Sequence, residues 1–392
     1  MGLLSGIVEL ASMGRSPIAI DPARCLHGLN QLSHCEACRQ VCPAGAISEE
    51  NPPEIDLEAC RVCRACLPVC LVDAIRAHDI VTPLMKCAVR ARGHAIDVLC
   101  DRHPEPEKAP HGSEVGIFMR GCLAALGVGA MVELGTMDLK GIVLRLEHCK
   151  DCELGALQPE IEGRLEAAKS ILQAWNQADH ISSLDKGDVG VESGRAVWDA
   201  ENPPVSRREL FQLSTLLGGP SGVGDEGLDA PPKRHLTPDR QRIVDALGNL
   251  YRTQQTQADV AIPAPGFFQL TISEACTACG NCSRACPTEA LLYQERDEKE
   301  FRFLFMPQMC IGCELCMRIC PVEAIGIEHD PDLAYVYSGD PGWVLRQGYI
   351  GRCLKCGAPI ASETPHGLCT LCESRRNNPF GSRKPPYPVN KP

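Results

Sequence analysis

The chain has 392 residues, of which 25 are cysteine and only 4% aromatic, with a formal net charge of −11. That length accommodates about two to four domains, and so many cysteines without a secretory leader point to metal–thiolate chemistry in a reducing compartment, not to disulfides. The acidic balance disfavours nonspecific nucleic-acid binding and suits docking onto basic patches of redox partners; no segment approaches the length of a membrane span.

In chain order, residues 1–20 open with MGLLSGIVELASMG, read as a short amphipathic helix because it lacks a positively charged start and contains Glu9. IAID, Ile18 to Asp21, reads as a short strand leading into a first cysteine-rich module over 21–86. Its first run is Cys25, Cys35, Cys38, Cys42 and Pro43; its second is Cys60, Cys63, Cys66 and Cys70. The second run has the C-x2-C-x2-C-x3-C spacing that wraps a 4Fe–4S cubane, with three thiolates from one loop and the fourth from the other run. The crossed pattern assigns Cys25, Cys35, Cys38 and Cys70 to one cluster, and Cys60, Cys63, Cys66 and Cys42 to the other. Two departures stand out: the insertion LHGLNQLSH displaces Cys25, and Leu71 replaces the proline after the last cysteine. His27 and His34 in that insertion are read as solvated loop histidines before ligands. Ala44, Ala46, Ile47, Val62, Val69, Ala74 and Ile75 are candidates to shield the clusters, and NPPEID between the runs fits a turn.

Residues 87–178 change character. AIDVL (95–99), VGIFMR (115–120) and GIVLRL (141–146) are apolar runs suited to buried parallel strands. LAALGVGAMVELGTM and RLEAAKSILQAWNQA carry helical spacing, so the alternation predicts an α/β unit with a parallel sheet. Cys100 follows the first strand, Cys122 the second, and Cys149 with Cys152 the third. The carboxyl ends of parallel strands share one edge, so these four thiols are expected to converge on a metal. The donor set leaves 2Fe–2S, 4Fe–4S and zinc open, while Cys87 is read as structural. Free cysteine is also a common small core residue.

The stretch GCLAALGVGAMVELGTMDLKGIVLRLEHCKDCELG resembles the iron–sulfur delta subunit of methyl-viologen-reducing hydrogenases, with a cysteine, a helix, a strand and a cysteine pair in the same order. The resemblance spans Cys100 to Leu172 and implies a 2Fe–2S cluster relaying electrons between a hydrogenase or dehydrogenase and another redox unit. A second cysteine near Cys100, expected from that family, is missing.

From 179 to 265 the chain is polar, Gly- and Pro-rich and free of cysteine, and reads as a linker interrupted by two helices. Ser206 and Glu209 form a capping box ahead of the first; Thr237 and Pro238 open the second, which carries Ile243, Val244, Leu247, Leu250 and Tyr251. SRRELF resembles a twin-arginine signal, or the leading segment of cytoplasmic ferredoxins linked to periplasmic nitrate reductase. Its internal position argues against export. Neither GGPSGVG nor GCLAALGVG fits a nucleotide-binding loop.

The second module, 266–333, contains Cys276, Cys279, Cys282, Cys286, Pro287 and Cys310, Cys313, Cys316, Cys320, Pro321. Both runs have the bacterial ferredoxin form, assigning Cys276, Cys279, Cys282 and Cys320 to one cubane and Cys310, Cys313, Cys316 and Cys286 to the other. In the tail, 334–392, Cys353, Cys356, Cys369 and Cys372 form C-x2-C-x12-C-x2-C, suited to a closed, tetrahedral structural zinc. The last residues are basic and Pro-rich and read as a disordered tail.

The whole predicts an α+β multidomain chain: two dicluster ferredoxin-like modules, a central α/β parallel-sheet domain and a C-terminal zinc-ribbon-like knuckle. The leading functional expectation is a cytoplasmic electron-transfer protein or subunit with four 4Fe–4S clusters, a further centre in the middle domain, and zinc. Its partners would be redox proteins such as a hydrogenase, formate dehydrogenase or molybdenum oxidoreductase, a list that rests on resemblance. No side chain is needed for bond-making chemistry, because the clusters carry the electrons. Alternatives are a maturation factor for a molybdenum enzyme, suggested by SRRELF and the tail knuckle, and an enzyme acting at the middle-domain thiols.

Overall fold

The computed structural model describes residues 18–185, 195–204, 236–253, 263–296, 299–338, 342–362 and 367–377. The expected helix at the start of the chain, the capping-box helix near Ser206 and the basic tail beyond 377 lie outside them; the first tail residues, 375–377, are helical where the sequence predicts disorder. The chain divides into two compact units: 1–28 with 36–257, and 29–35 with 258–392.

The first unit begins with β1 (Ile18–Ile20), the short helices α1 (Leu26–Leu29), α2 (Ala37–Val41) and α3 (Cys66–Val69), and β2 (Ile75–Ala77). β1 and β2 pair antiparallel, Ile18 opposite Ala77 and Ile20 opposite Ile75. Ile18, Ile47, Cys66 and Ile75 form a small core, against which Cys38, Cys42, Cys60 and Cys70 pack. So few apolar groups leave this module short of buried area, and bound metal would supply the order a larger core otherwise gives.

The remainder of the unit is the expected α/β domain. It contains α4 (Val81–Arg90), β3 (Ala95–Cys100), β4 (Val115–Met119), α5 (Val128–Gly135), β5 (Gly141–Arg145), α6 (Gln158–Leu172), β6 (Ile181–Leu184), β7 (Ala196–Asp199) and α7 (Pro238–Thr253). The sheet order is β6-β5-β3-β4-β7 with every neighbour parallel. Central β3 is buried from Ile96 through Leu99, as expected of a strand covered on both faces. β6 and β7 fall after residue 178, so the sheet runs on into the stretch expected to be linker, and its edges are built there. Both are short, and β7 is largely exposed; edge strands need no apolar run, which is why ISSL and AVWD carry little periodic signal. Cys87 is fully buried on α4.

Helix α7 docks on α5 through Asp239 and through an Arg242–Glu133 ion pair at 3.3 Å. The Asp239 carboxylate accepts hydrogen bonds from the N–H groups of Gly129 (3.0 Å) and Ala130 (2.9 Å), capping α5 from another part of the chain. A Cβ at Gly127 or Gly129 would overlap Asp239. The glycines of GCLAALGVG therefore admit a carboxylate of the same chain.

In the second unit, β8 (Phe268–Ile272) precedes α8 (Asn281–Ala285), the hairpin β9 (Leu291–Arg296) and β10 (Glu300–Phe305), α9 (Leu315–Arg318), β11 (Ile325–His329) and α10 (Leu333–Ser338). β8 and β11 pair antiparallel from Ile272–Ile325 to Phe268–His329, repeating the β1–β2 arrangement. β12 (Trp343–Arg352) adds to β10 and then pairs with β13 (Pro359–Ser362), giving the order β13-β12-β10-β9, and α11 (Thr370–Asn377) follows. The boundary expected at 333 is thus crossed by a shared sheet. Phe301, Phe303 and Phe305, all buried, centre the core of this unit.

Candidate metal centres

The cysteine runs repeat one backbone conformation. In the three regularly spaced runs the residues on either side of the second cysteine are left-handed: Val62 and Arg64 around Cys63, Ala278 and Gly280 around Cys279, Gly312 and Glu314 around Cys313. A β-branched residue at φ 51°, as at Val62, is a genuine outlier and persists only where its surroundings demand it. The displaced first run differs, because Glu36 after Cys35 has φ −123°.

A second device follows the last cysteine of all four runs. The residue three places on is left-handed: Gly45, Asp73, Glu289 and Glu323. At three of the four, the next N–H then points back at the thiol: Ala46 to Cys42 Sγ (3.3 Å), Ala74 to Cys70 Sγ (3.2 Å) and Ala324 to Cys320 Sγ (3.3 Å). Alternating right- and left-handed residues turn successive N–H groups into one concavity, which favours negative charge on sulfur and tunes cluster potential. Leu71, in place of proline, leaves this turn intact around Cys70. Four thiols, strained backbone and N–H groups aimed at sulfur together fit a thiolate-bound iron–sulfur cluster.

Burial and neighbouring thiols raise several of these cysteines together. Burial first, then Cys276, Cys279 and Cys320, pushes the Cys282 thiol up to about 12. Cys316 is raised by burial and by Cys310, Cys313 and Cys286. Burial followed by Cys286 raises Cys313 to about 11, with Cys35 also among its neighbours. In the first unit, burial raises Cys63, with Cys42 and Cys60 contributing, and Cys66 is lifted to about 12 by burial, then Cys63, with Cys38 and Cys42 adding. Cys25, Cys38 and Cys70 belong to the first unit, whereas Cys35 lies in the segment grouped with the second.

The strand ends also deliver their cysteines together. Cys100, Cys122, Cys149 and Cys152 line one pocket with Leu123, Leu154 and Ile161. Burial raises Cys122 to about 11 and Cys149 to about 12, and each of the two is raised further by Cys100 and Cys152. Beneath this pocket lies a charged network with no counterpart in the sequence pattern. Asp97, on β3, accepts from Ser113 Oγ (2.6 Å), Arg145 Nη1 (3.2 Å) and Arg195 Nη1; Asp97, Ser113 and Arg145 are buried, and the Arg195 side chain is 3% exposed. Arg145 also binds Glu147, whose carboxylate accepts from or pairs with His103 Nε2 at 3.1 Å. Despite burial, His103 and Arg145 hold Glu147 down to about 2. The network fixes the residues just before Cys149 and just after Cys100. His103, Glu147 and His148 also bring ligand atoms within 4.8 Å of one another, but Glu147 is already committed to Arg145.

In the tail, Cys353, Cys356, Cys369 and Cys372 bring their sulfurs within 4.8 Å of one another. Cys369 N–H donates to Cys353 Sγ (3.2 Å), and Cys372 N–H to Cys369 Sγ (3.4 Å). Backbone hydrogen bonding, led by Cys369 N–H, lowers Cys353 to about 6, so one thiolate of the set forms readily.

Among the described residues, no helix is long and apolar enough to cross a membrane. No curated protein matches the chain. Residues 275–324 match the family of 4Fe–4S dicluster domains, so the second module is an iron–sulfur domain of the ferredoxin type, which supports an electron-transfer role.

Proposed function

We propose that the chain is a cytoplasmic electron relay that passes single electrons through four 4Fe–4S clusters between redox enzymes, such as a hydrogenase, a formate dehydrogenase or a molybdenum oxidoreductase. The observation that carries the reading is the recurrence, at Cys60–Ala74, of the left-handed turns and sulfur-directed N–H groups found in the matched dicluster domain. When bound, the clusters supply reversible one-electron chemistry. The protein holds thiolates through Cys276, Cys279, Cys282 with Cys320, through Cys310, Cys313, Cys316 with Cys286, and through Cys60, Cys63, Cys66 with Cys42. The displaced set of Cys25, Cys35, Cys38 and Cys70 is assigned by the crossed order of the sequence. Apolar walls of Ile272, Phe303 and Ile325 in the second module, and of Ile18, Ile47 and Ile55 in the first, keep water from the sulfurs.

Cys353, Cys356, Cys369 and Cys372 form a closed set of four sulfurs, suited to structural zinc beside β12 and β13. The strand-end thiols hold a further metal centre, and the resemblance to the hydrogenase delta subunit favours iron there.

Anaerobic purification with iron, acid-labile sulfide and zinc analysis tests this reading. It requires about 16 iron atoms from four cubanes, two to four more from the strand-end site and about one zinc. Fewer than about 12 irons in intact protein would overturn the four-cluster relay.

A further inference from the structure

We infer that the Cys42–Cys60–Cys63–Cys66 centre and the strand-end thiol site are direct redox neighbours, clamped together by Arg164 and Arg64, so that the first module discharges its electrons into the α/β domain. The inference rests on the relay reading and adds a defined step to it.

Arg164, on α6, is buried and spans two cysteine loops. Its Nη1 donates to Ala124 O (2.7 Å) and Leu126 O (3.2 Å), and its Nη2 to Ala65 O (3.4 Å). Ala65 lies between Cys63 and Cys66. Ala124 lies two residues beyond Cys122, and its own N–H points at Cys122 Sγ (3.5 Å). One guanidinium thus joins the carbonyl of one cysteine loop to the residue that hydrogen-bonds the sulfur of the other. A second arm runs in the opposite direction: Arg64 Nη1 donates to Arg120 O at 3.3 Å. Gly121 has φ 142°, and a Cβ there would sit 2.8 Å from both Arg64 Nη1 and Ile80 Cδ1. A side chain at this position would strain the backbone and displace the Arg64 guanidinium from its seat.

A structural role alone would account for one buried arginine on carbonyls. Arg164 from helix α6, its guanidinium also paired with Glu160 at 2.9 Å, and Arg64 from the first module's cysteine loop tie the two sets of loops together through backbone carbonyls, and the Arg64 guanidinium puts positive charge where those loops meet, which lowers the repulsion between two anionic centres. With a cluster held by Cys42, Cys60, Cys63 and Cys66 and an iron centre held by Cys100, Cys122, Cys149 and Cys152, the step would be a one-electron transfer that oxidises the first, reduces the second and requires no proton. Arg164 is a positioning residue: it touches neither sulfur set directly.

Full-length protein, purified anaerobically and reduced with dithionite, provides the test by EPR, with Mössbauer spectroscopy counting the iron at each kind of centre. The wild type is expected to show a first-module signal split or fast-relaxing through spin coupling to the strand-end centre. Cys122→Ser, which breaks only the strand-end ligand set, should remove the contribution of the strand-end centre, leaving only the coupling between the module's own two cubanes, with the cubane iron retained. Arg164→Gln should weaken the coupling at unchanged iron content; if that variant does not fold, the comparison of wild type with Cys122→Ser still decides. Iron at both sites without coupling, or zinc at the strand-end thiols, would overturn the inference and leave the four-cluster relay standing. Loss of the cubane iron count in the wild type would instead sink the relay reading itself.

Discussion

Removing the Asp97 carboxylate should loosen the sheet that holds the strand-end thiols. Asp97 sits fully buried between the guanidinium groups of Arg145 and Arg195, with Ser113 as a third donor. In Asp97→Asn the side chain keeps its shape, but two buried cations then face one remaining carboxylate, Glu147. Breaking a buried pair by deleting one partner costs about 3–5 kcal/mol. Both arginines retain backbone acceptors, Lys108 O for Arg145 (2.7 Å) and Pro106 O for Arg195 (2.7 Å), so the lower end applies. A loss of about 3 kcal/mol corresponds to roughly a hundredfold in the population of opened sheet. Hydrogen exchange of the β3 amides reads that population directly, with exposed Asp101→Asn as the control. Acceleration by less than about fivefold, or by no more than the control, would refute the argument that this network fixes the loops carrying Cys100 and Cys149.

Other substitutions test other parts of the fold. A Cβ at Gly312 would overlap the Phe268 ring, so Gly312→Ala should cost about 1–3 kcal/mol and lower iron retention at the Cys310 loop. Adding Phe268→Leu should restore part of the iron, and unchanged retention in the single variant would contradict the packing argument. Gly129→Ala should push α7 off α5 by displacing Asp239; limited proteolysis with mass spectrometry should find new cleavage within Pro238–Thr253, and an unaltered pattern would argue against the cross-chain cap. Cys87→Ala should leave iron and zinc content unchanged, because Cys87 is buried on α4; loss of metal would make it a ligand. Cys372→Ser should lower the zinc content that the proposed tail site requires without altering the iron, as read by metal analysis of the same sample; unchanged zinc would argue against a tail site.

Much of the site was legible because metal ligation imposes spacing. The three regular runs carry their loop geometry in the register of the cysteines alone, and the parallel strands β3, β4 and β5 announce themselves as buried apolar runs that end at Cys100, Cys122 and Cys149. What escaped the sequence has no periodic signature. The left-handed turn at Val62 falls on a residue type that disfavours it, so only the surrounding loop explains it. Arg164 and Asp239 read as ordinary charges on the surface of amphipathic helices, yet each holds a backbone far away in the chain, Arg164 buried and Asp239 half-buried. Edge strands β6 and β7 lie in a stretch whose polarity suggests linker, because an edge is half exposed. β12 likewise joins the hairpin of the second module from beyond the boundary expected at 333.

The central claim is that the chain is a relay, so the most direct measurement is a reductive titration of the anaerobic, full-length protein, followed optically and by EPR. Four cubanes predict reversible uptake of about four electrons per chain, with one more if the strand-end centre is redox-active. Uptake of two electrons or fewer at full iron occupancy, or reduction that cannot be reversed, would contradict it.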